Sequence, residues 1–346
     1  MIQDSGGQNN KEYLCVDAFI KSIVGGRALA TAFELGLIDF LVENTAGRFE
    51  DLKKRFNADE RGLRLLLDLL KANRVVEENE GKFNFGLPFK KALQYRDLLE
   101  AKLDFANLVA SDFAELFTPL ISSPDWFFRN ARVFHLFSYN RCVEPSPENY
   151  KHTRRWMRIT TALTRYEAPA CMEHHDFSRY RQMLDIGGNS GEFALRICKQ
   201  HADLEATVFD LPLVCDIGAE HVRPESEADR MKFVNGNALT DALPSDYDLI
   251  SFKSMLHDWP DKEAGQLIAN AGRSLRAGGT LLIFERGPLE VANETVPYSM
   301  IPFLLFFRSY RSPEFYEKVL NRLNFREITI KKIILETPFY LTTAKK

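Results

Sequence analysis

After Gln182, five short apolar runs, QMLDIG, ATVFDL, MKFVNG, DLISFKSML and TLLIFERG, alternate with stretches that carry apolar residues at helical spacing. No other feature constrains the fold as strongly. Strands that alternate with helices predict a mostly parallel sheet with helices on both faces. After the helix SPEFYEKVLNRLNF come EITIKKIIL and FYLTTAK, separated only by Glu336-Thr337-Pro338. A parallel crossover needs about a dozen residues, so this short link predicts an antiparallel hairpin at the sheet's edge. The expected fold is therefore α/β, a doubly wound (Rossmann-like) seven-stranded sheet with a C-terminal antiparallel hairpin.

The first hundred residues read differently. AFIKSIVGGRALATAFELGLIDFLVEN has helical spacing that Gly25-Gly26 is expected to interrupt. RFEDLKKRFNADERGLRLLLDLLKANRVVEENEGKFNFG then reads as helix, turn, helix and a hairpin turning near Glu80-Gly81, the outline of a winged helix. A DNA-reading helix would present several Arg or Lys outward. GLRLLLDLLKAN is mostly leucine, which predicts a packing or dimerising surface instead. Residues 101–180 form a helical, aromatic-rich segment, exemplified by PDWFFRNARVFHLFSY, that is expected to supply an acceptor pocket. The organisation expected is 1–100 for dimerisation, 101–180 as linker and pocket, and 181–346 as the catalytic unit.

A formal charge of -3 over 346 residues gives no basic footprint for nucleic acid and no cationic face for a membrane. MIQDSGGQNNKEYL lacks the pattern of a secretory leader, and SMIPFLLFFRSY is too short for a span and is broken by Pro302. The five cysteines are dispersed, with no CxxC pair, which predicts reduced thiols in a cytoplasmic protein. The histidines form no metal-binding spacing, and adjacent His174 and His175 read as surface residues of a connecting segment. No metal is expected.

The ligand is expected at the carboxyl ends of the strands. Asp185 ends the first strand, and Gly187, Gly188 and Gly191 shape the turn into the next helix. The dinucleotide pattern G-x-G-x-x-G fails, because Asn189 and Ser190 occupy positions its later glycines need. What fits is D-x-G-G-x-x-G. Asp210, ending VFDLP about twenty residues on, stands where an acid can take ribose hydroxyls. His257 follows the fourth strand and Glu285 ends the fifth, so both face the rim of the glycine turn. A histidine with a carboxylate neighbour suits general-base work.

The ordered set LDIGGNSG, FDLP, GNAL, HDWPD and LLIFE resembles that of the class I S-adenosylmethionine-dependent O-methyltransferases of the plant caffeate and acetylserotonin type and their bacterial relatives. The resemblance covers nearly the whole chain. It implies a homodimer that binds S-adenosyl-L-methionine, releases S-adenosyl-L-homocysteine and methylates a small-molecule acceptor without a metal. It implies that Asp185, Gly187, Gly188 and Gly191 cradle the methionine part. Asp210 would bind the ribose, and Leu211, Asn237 and Ala238 would lie by the adenine, with Lys253 at the cofactor's edge. It further implies His257 as base, oriented by Glu285, with Trp156 and Met157 near the acceptor.

Three positions depart from the family pattern. Asn189 replaces a third glycine, at a place where Asn tolerates left-handed backbone. Asn237 replaces a carboxylate. Tyr310 stands where many relatives carry a second glutamate against the histidine, which keeps decarboxylation or hydroxylation as an alternative to O-methylation; C- or N-methylation and non-catalytic sensing are the further alternatives.

Overall fold

The strands expected after Gln182 all form. A computed structural model describes residues 11–291 and 295–346, together with the backbone of Gln3–Asp4. In chain order its strands are β1 (Gln3–Asp4), β2 (Ala46–Arg48), β3 (Val76–Asn79), β4 (Lys82–Phe85), β5 (Gln182–Ile186), β6 (Glu205–Asp210), β7 (Met231–Asn235), β8 (Tyr247–Lys253), β9 (Leu275–Arg286), β10 (Arg326–Ile334) and β11 (Pro338–Lys345). The chain divides into two units. One holds 11–127 and 295–304, and the other holds 128–290, 305–346 and β1.

In the larger unit the strand order is β1-β10-β11-β9-β8-β5-β6-β7. Strands β5 to β9 are parallel, and β11 runs antiparallel to both β9 and β10. Seven of these strands were expected. The eighth, β1, pairs parallel with Lys331 and Lys332 and is two residues long, too short for any hydrophobic pattern to announce it. Alternation along each strand sends neighbours to opposite faces. Met183, Leu282 and Phe284 pack with Phe193 and Ile197 on one face, while Leu184, Leu281 and Ile283 pack with Leu267 and Ile268 on the other. Burial on both faces explains why these strands read as continuous apolar runs. The strand order reverses between β5 and β8, so the crevice at their carboxyl ends is where such a sheet binds ligands.

In the smaller unit, helices Phe49–Phe56 and Glu60–Ala72 precede the β3–β4 hairpin, and β2 adds a third antiparallel strand. Leu63, Leu66, Leu67 and Leu70 fill this unit's own core, whereas Leu65 stays 61% exposed. Gly25 and Gly26 do not interrupt their helix. Ile23–Glu34 runs through them, and the Ser22 hydroxyl caps its first turn by accepting from the Gly25 amide at 3.1 Å. Their bareness serves packing, since a Cβ on Gly26 would lie 2.8 Å from the Tyr298 ring.

His174 and His175 are both half-buried, and His175 is packed among aromatic rings. The His175 ring stacks on Tyr180 at 5.7 Å and meets Phe177 edge-on, and burial pushes its pKa down to about 4. Among the described residues no helix is long and apolar enough to cross a membrane, and no three metal-ligating side chains cluster.

Candidate active site

The glycine turn leaves β5 and enters helix Glu192–Gln200. Gly187 and Gly191 have φ of 66° and 75°, and Asn189 takes the left-handed region at 58°, where asparagine is among the better-tolerated residues. A Cβ on Gly188 would lie 2.7 Å from Asp185 Oδ2, so the turn wraps closely over that carboxylate. Asp185 is fully buried; Oδ1 accepts from the Ser251 hydroxyl at 2.5 Å, and Oδ2 has no partner among the described residues. Burial raises its pKa to about 7, against the pull of Ser251 and Lys253. An unpaired buried carboxylate oxygen is costly, and a cationic group such as the ammonium of an amino-acid moiety would satisfy it.

Asp210 ends β6 and accepts from two backbone amides, Asn189 at 2.8 Å and Leu211 at 2.7 Å. Each carboxylate oxygen keeps a second lone pair for a vicinal diol. Burial raises this group to about 6, although both amides pull the other way. Asn237 accepts from the Leu239 amide at 3.0 Å, and the neighbouring Ala238 carbonyl accepts from Asn270 at 2.8 Å, which fixes the loop after β7. The site thus offers a close turn, an unpaired buried anion that could hold an ammonium and an acid that could hold a ribose.

Behind the turn, Glu192 opens the helix with its side chain 2% exposed, meeting His221 at 2.6 Å, Arg196 at 2.8 Å and Arg165 at 3.2 Å. Burial opposes its charge, but these partners win and hold its pKa at about 2. A depressed carboxylate contributes stability above its unfolded value, near 4.5, and loses it as pH falls towards 2. Glu192→Gln is therefore expected to cost about 3 kcal/mol at pH 7 by strand-and-helix melting in urea, and much less at pH 3.

The second half of the site hangs on the ends of β8 and β9. Glu285 Oε1 accepts from the amides of Met255 and Leu256, each at 2.7 Å, and Oε2 accepts from His257 Nδ1 at 2.7 Å. The proton is thereby held on Nδ1, and Nε2 is the basic nitrogen. Burial opposes the charged ring, but Glu285 and Asp258 outweigh it and raise its pKa above 6.5. Arg311 braces the same loop from below, donating to the Leu256 carbonyl at 2.9 Å, to the Trp259 carbonyl and to Asp261 at 2.7 Å.

Asp258 Oδ1 lies 3.5 Å from His257 Nε2, and its Oδ2 accepts from the Tyr139 hydroxyl at 2.5 Å. Tyr139 stacks on Trp259 and meets Trp156 edge-on; Trp156 faces Phe137, which meets Phe306, which meets Phe134. A continuous run of rings therefore leads away from the basic nitrogen. Tyr310 packs its ring edge-on to His257 at 5.4 Å, and burial raises its phenol pKa.

The structure thus brings His257, Glu285 and Tyr310 together, and groups Asp185, Gly187, Gly188, Gly191, Asp210 and Leu211 around one turn. Met157 is buried beside Trp156, in a cluster that also holds Leu213 and Val214. The ammonium of Lys253 is taken by Glu167, with Thr164 at 2.8 Å. Sequence reasoning missed Tyr139, Glu167 and Arg311. Their partners lie 119, 86 and 50 residues away, so no local pattern could mark them.

A family model described as an O-methyltransferase domain matches residues 123–326. The chain is 25% identical over 279 residues to a 3-hydroxy-5-methyl-1-naphthoate 3-O-methyltransferase of Streptomyces sahachiroi, covering 77% of each chain. It is 27% identical over 266 residues to the N,N-dimethyltransferase OxyT of Streptomyces rimosus, covering 75% of this chain and 74% of that one. Its fold matches human N-acetylserotonin methyltransferase solved with S-adenosylmethionine, at a TM-score of 0.73 and 19% identity over 99% of both chains.

Proposed function

Because the chain belongs to the O-methyltransferase domain family of S-adenosylmethionine-dependent enzymes, we propose that it methylates a hydroxyl of a small aromatic or polyketide-like acceptor, with His257 as general base. The observation that carries this reading is the His257–Glu285 hydrogen bond, which holds a ring proton on Nδ1 and makes Nε2 the basic nitrogen.

S-adenosylmethionine, when bound, supplies an electrophilic methyl group on its sulfonium. Asp185 and the glycine turn would hold its amino-acid end and Asp210 its ribose, with Leu211, Asn237 and Ala238 by the adenine and Lys253 at its edge. A phenol with pKa near 10 is mostly protonated at neutral pH. Nε2 of His257 takes that proton as the oxygen attacks. The imidazolium then sits between Glu285 and Asp258, which stabilise its charge. The run of rings from Trp259 through Tyr139 and Trp156 to Phe306 supports a flat, apolar acceptor. Aromatic stacking supplies orientation, and orientation supplies much of the rate.

The base must be neutral to act. Its pKa is raised, so kcat/KM is expected to fall as pH drops, with a midpoint above 6.5. A pH–rate profile checks this; a midpoint well below 6.5 would mean that another group titrates.

OxyT is named for N-dimethylation, so amines belong beside phenols in the test. Protein, methyl-labelled S-adenosylmethionine and a panel of naphthols, hydroxynaphthoates and aryl amines are incubated, and labelled products are identified by mass. O-methyl products support the reading. N-methyl products alone would move it to amines, and no transfer to any member would oppose it.

A homodimer is part of the proposal. Ile23 and Val24 are each 55% exposed beside Leu65, an apolar groove on the smaller unit that a second copy would cover. Leu65→Asp is expected to halve the mass seen by sedimentation. A wild-type chain already monomeric at micromolar concentration would remove this part.

A further inference from the structure

Glu167 lies on the long helix Pro147–His174 with its side chain 1% exposed. Its Oε2 accepts from the Lys253 ammonium at the end of β8, and its Oε1 accepts from the Arg286 guanidinium at the end of β9. Thr164, one turn earlier, accepts from the same ammonium at 2.8 Å. Arg286 also lies 3.5 Å from Glu336, and its guanidinium stacks over Phe339 at 4.6 Å. The side chains of Lys253, Arg286 and Glu336 are 8%, 6% and 5% exposed. Two cations and two anions thus form a buried chain that the proton transfer does not use.

Stability alone does not ask for such a chain, because apolar residues of similar volume commonly do as well. Its place in the fold suggests the reason. Glu285 and Arg286 are neighbours on β9, so their side chains leave opposite faces. Glu285 orients the base, while Arg286 is turned toward Glu167. Lys253, at the tip of the adjacent strand, is turned toward the same carboxylate. The groups that act on His257 are Glu285 and Arg286 from β9, Asp258 on its own loop, Tyr139 from the segment Tyr139–Cys142 against Asp258, and Tyr310 packed against the ring. Arg286 is the cation among them and works against the charged imidazole. Paired with an anion, its field is that of a dipole and falls off quickly. With the Glu167 charge removed, more of its field reaches the ring.

We infer that Glu167 is a positioning residue of the methyl-transfer site: it fixes Lys253 at the cofactor's edge and neutralises Arg286 behind the base. This rests on the function proposed above. Glu167→Gln is expected to weaken S-adenosylhomocysteine binding about tenfold and to move the acid limb of kcat/KM down by about one pH unit, the size of shift a nearby uncompensated charge produces. Thr164→Val keeps the carboxylate and loosens Lys253 alone. It is expected to weaken the same ligand about threefold, with the acid limb unmoved.

A merely structural ion pair would lower the melting temperature of Glu167→Gln and leave both readouts of the folded protein where they were. That result overturns the inference. Should Glu167→Gln not fold, Glu336→Gln removes another anion beside Arg286. Its acid limb is expected to move down, and an unmoved limb overturns the inference equally. Wild-type protein that fails to bind S-adenosylhomocysteine at all would instead overturn the functional reading, and is distinguished before any variant is made.

Discussion

His257→Ala is expected to lower kcat by about 10² to 10⁴-fold while S-adenosylhomocysteine binds within a factor of two of wild type. The split follows from the geometry. The ring's described partners, Glu285, Asp258 and Tyr310, lie outside the glycine turn. Its Nδ1 is spent on Glu285, and its Nε2 faces Asp258 and the run of aromatic rings. Removing it takes away the proton acceptor and leaves Asp185, Asp210 and the turn intact. The loss is expected to be largest for acceptors with high hydroxyl pKa and smallest for acidic phenols, which ionise unaided. A panel of substituted phenols measures this directly. Equal losses across the panel would mean that His257 positions the acceptor and does not take its proton.

Glu285→Gln is the second large effect, about 10³ to 10⁴-fold in kcat, by analogy with an orienting carboxylate exchanged for its amide. Glutamine can still accept the Met255 and Leu256 amides through its carbonyl oxygen, so the loop should stay in place. Its NH2 group then faces Nδ1, which must become an acceptor. The ring proton moves to Nε2, and the base arrives at the acceptor already protonated. Far-ultraviolet spectra and S-adenosylhomocysteine affinity are expected to match wild type. Glu285→Asp keeps the charge but shortens the reach, and is expected to retain more activity than the amide. If the amide variant is the more active of the two, carboxylate charge is not what orients His257.

The legibility of this chain divides along a physical line. Strands β5, β6, β8 and β9 were readable because both of their faces are buried, so Met183 and Leu184 are both apolar although they point opposite ways. The glycine turn was readable because Gly187 and Gly191 take backbone that most side chains avoid. The pairing of His257 with Glu285 was readable because one follows β8 and the other lies at the end of the adjacent β9, and strand ends share a rim. The misreadings have a different origin. Gly25-Gly26 reads as a break because nothing local reveals that Tyr298 presses against the helix there. His175 reads as polar until Phe177 and Tyr180 are brought around it. Glu167 resembles any acid on an amphipathic helix, and only the folded sheet brings Lys253 and Arg286 to it. Asp258 is the intermediate case. It stands in the HDWPD run beside the base, but the Tyr139 hydroxyl that holds it comes from a segment read only as aromatic packing.

Calorimetric titration of the purified chain with S-adenosylhomocysteine, with NADH as the control, tests the central claim most directly. The account predicts saturable binding of the homocysteine product at micromolar concentrations, lost in Asp210→Ala and kept in His257→Ala, with no heat from NADH. Absence of binding by the wild-type chain, or binding of NADH in its place, would contradict it.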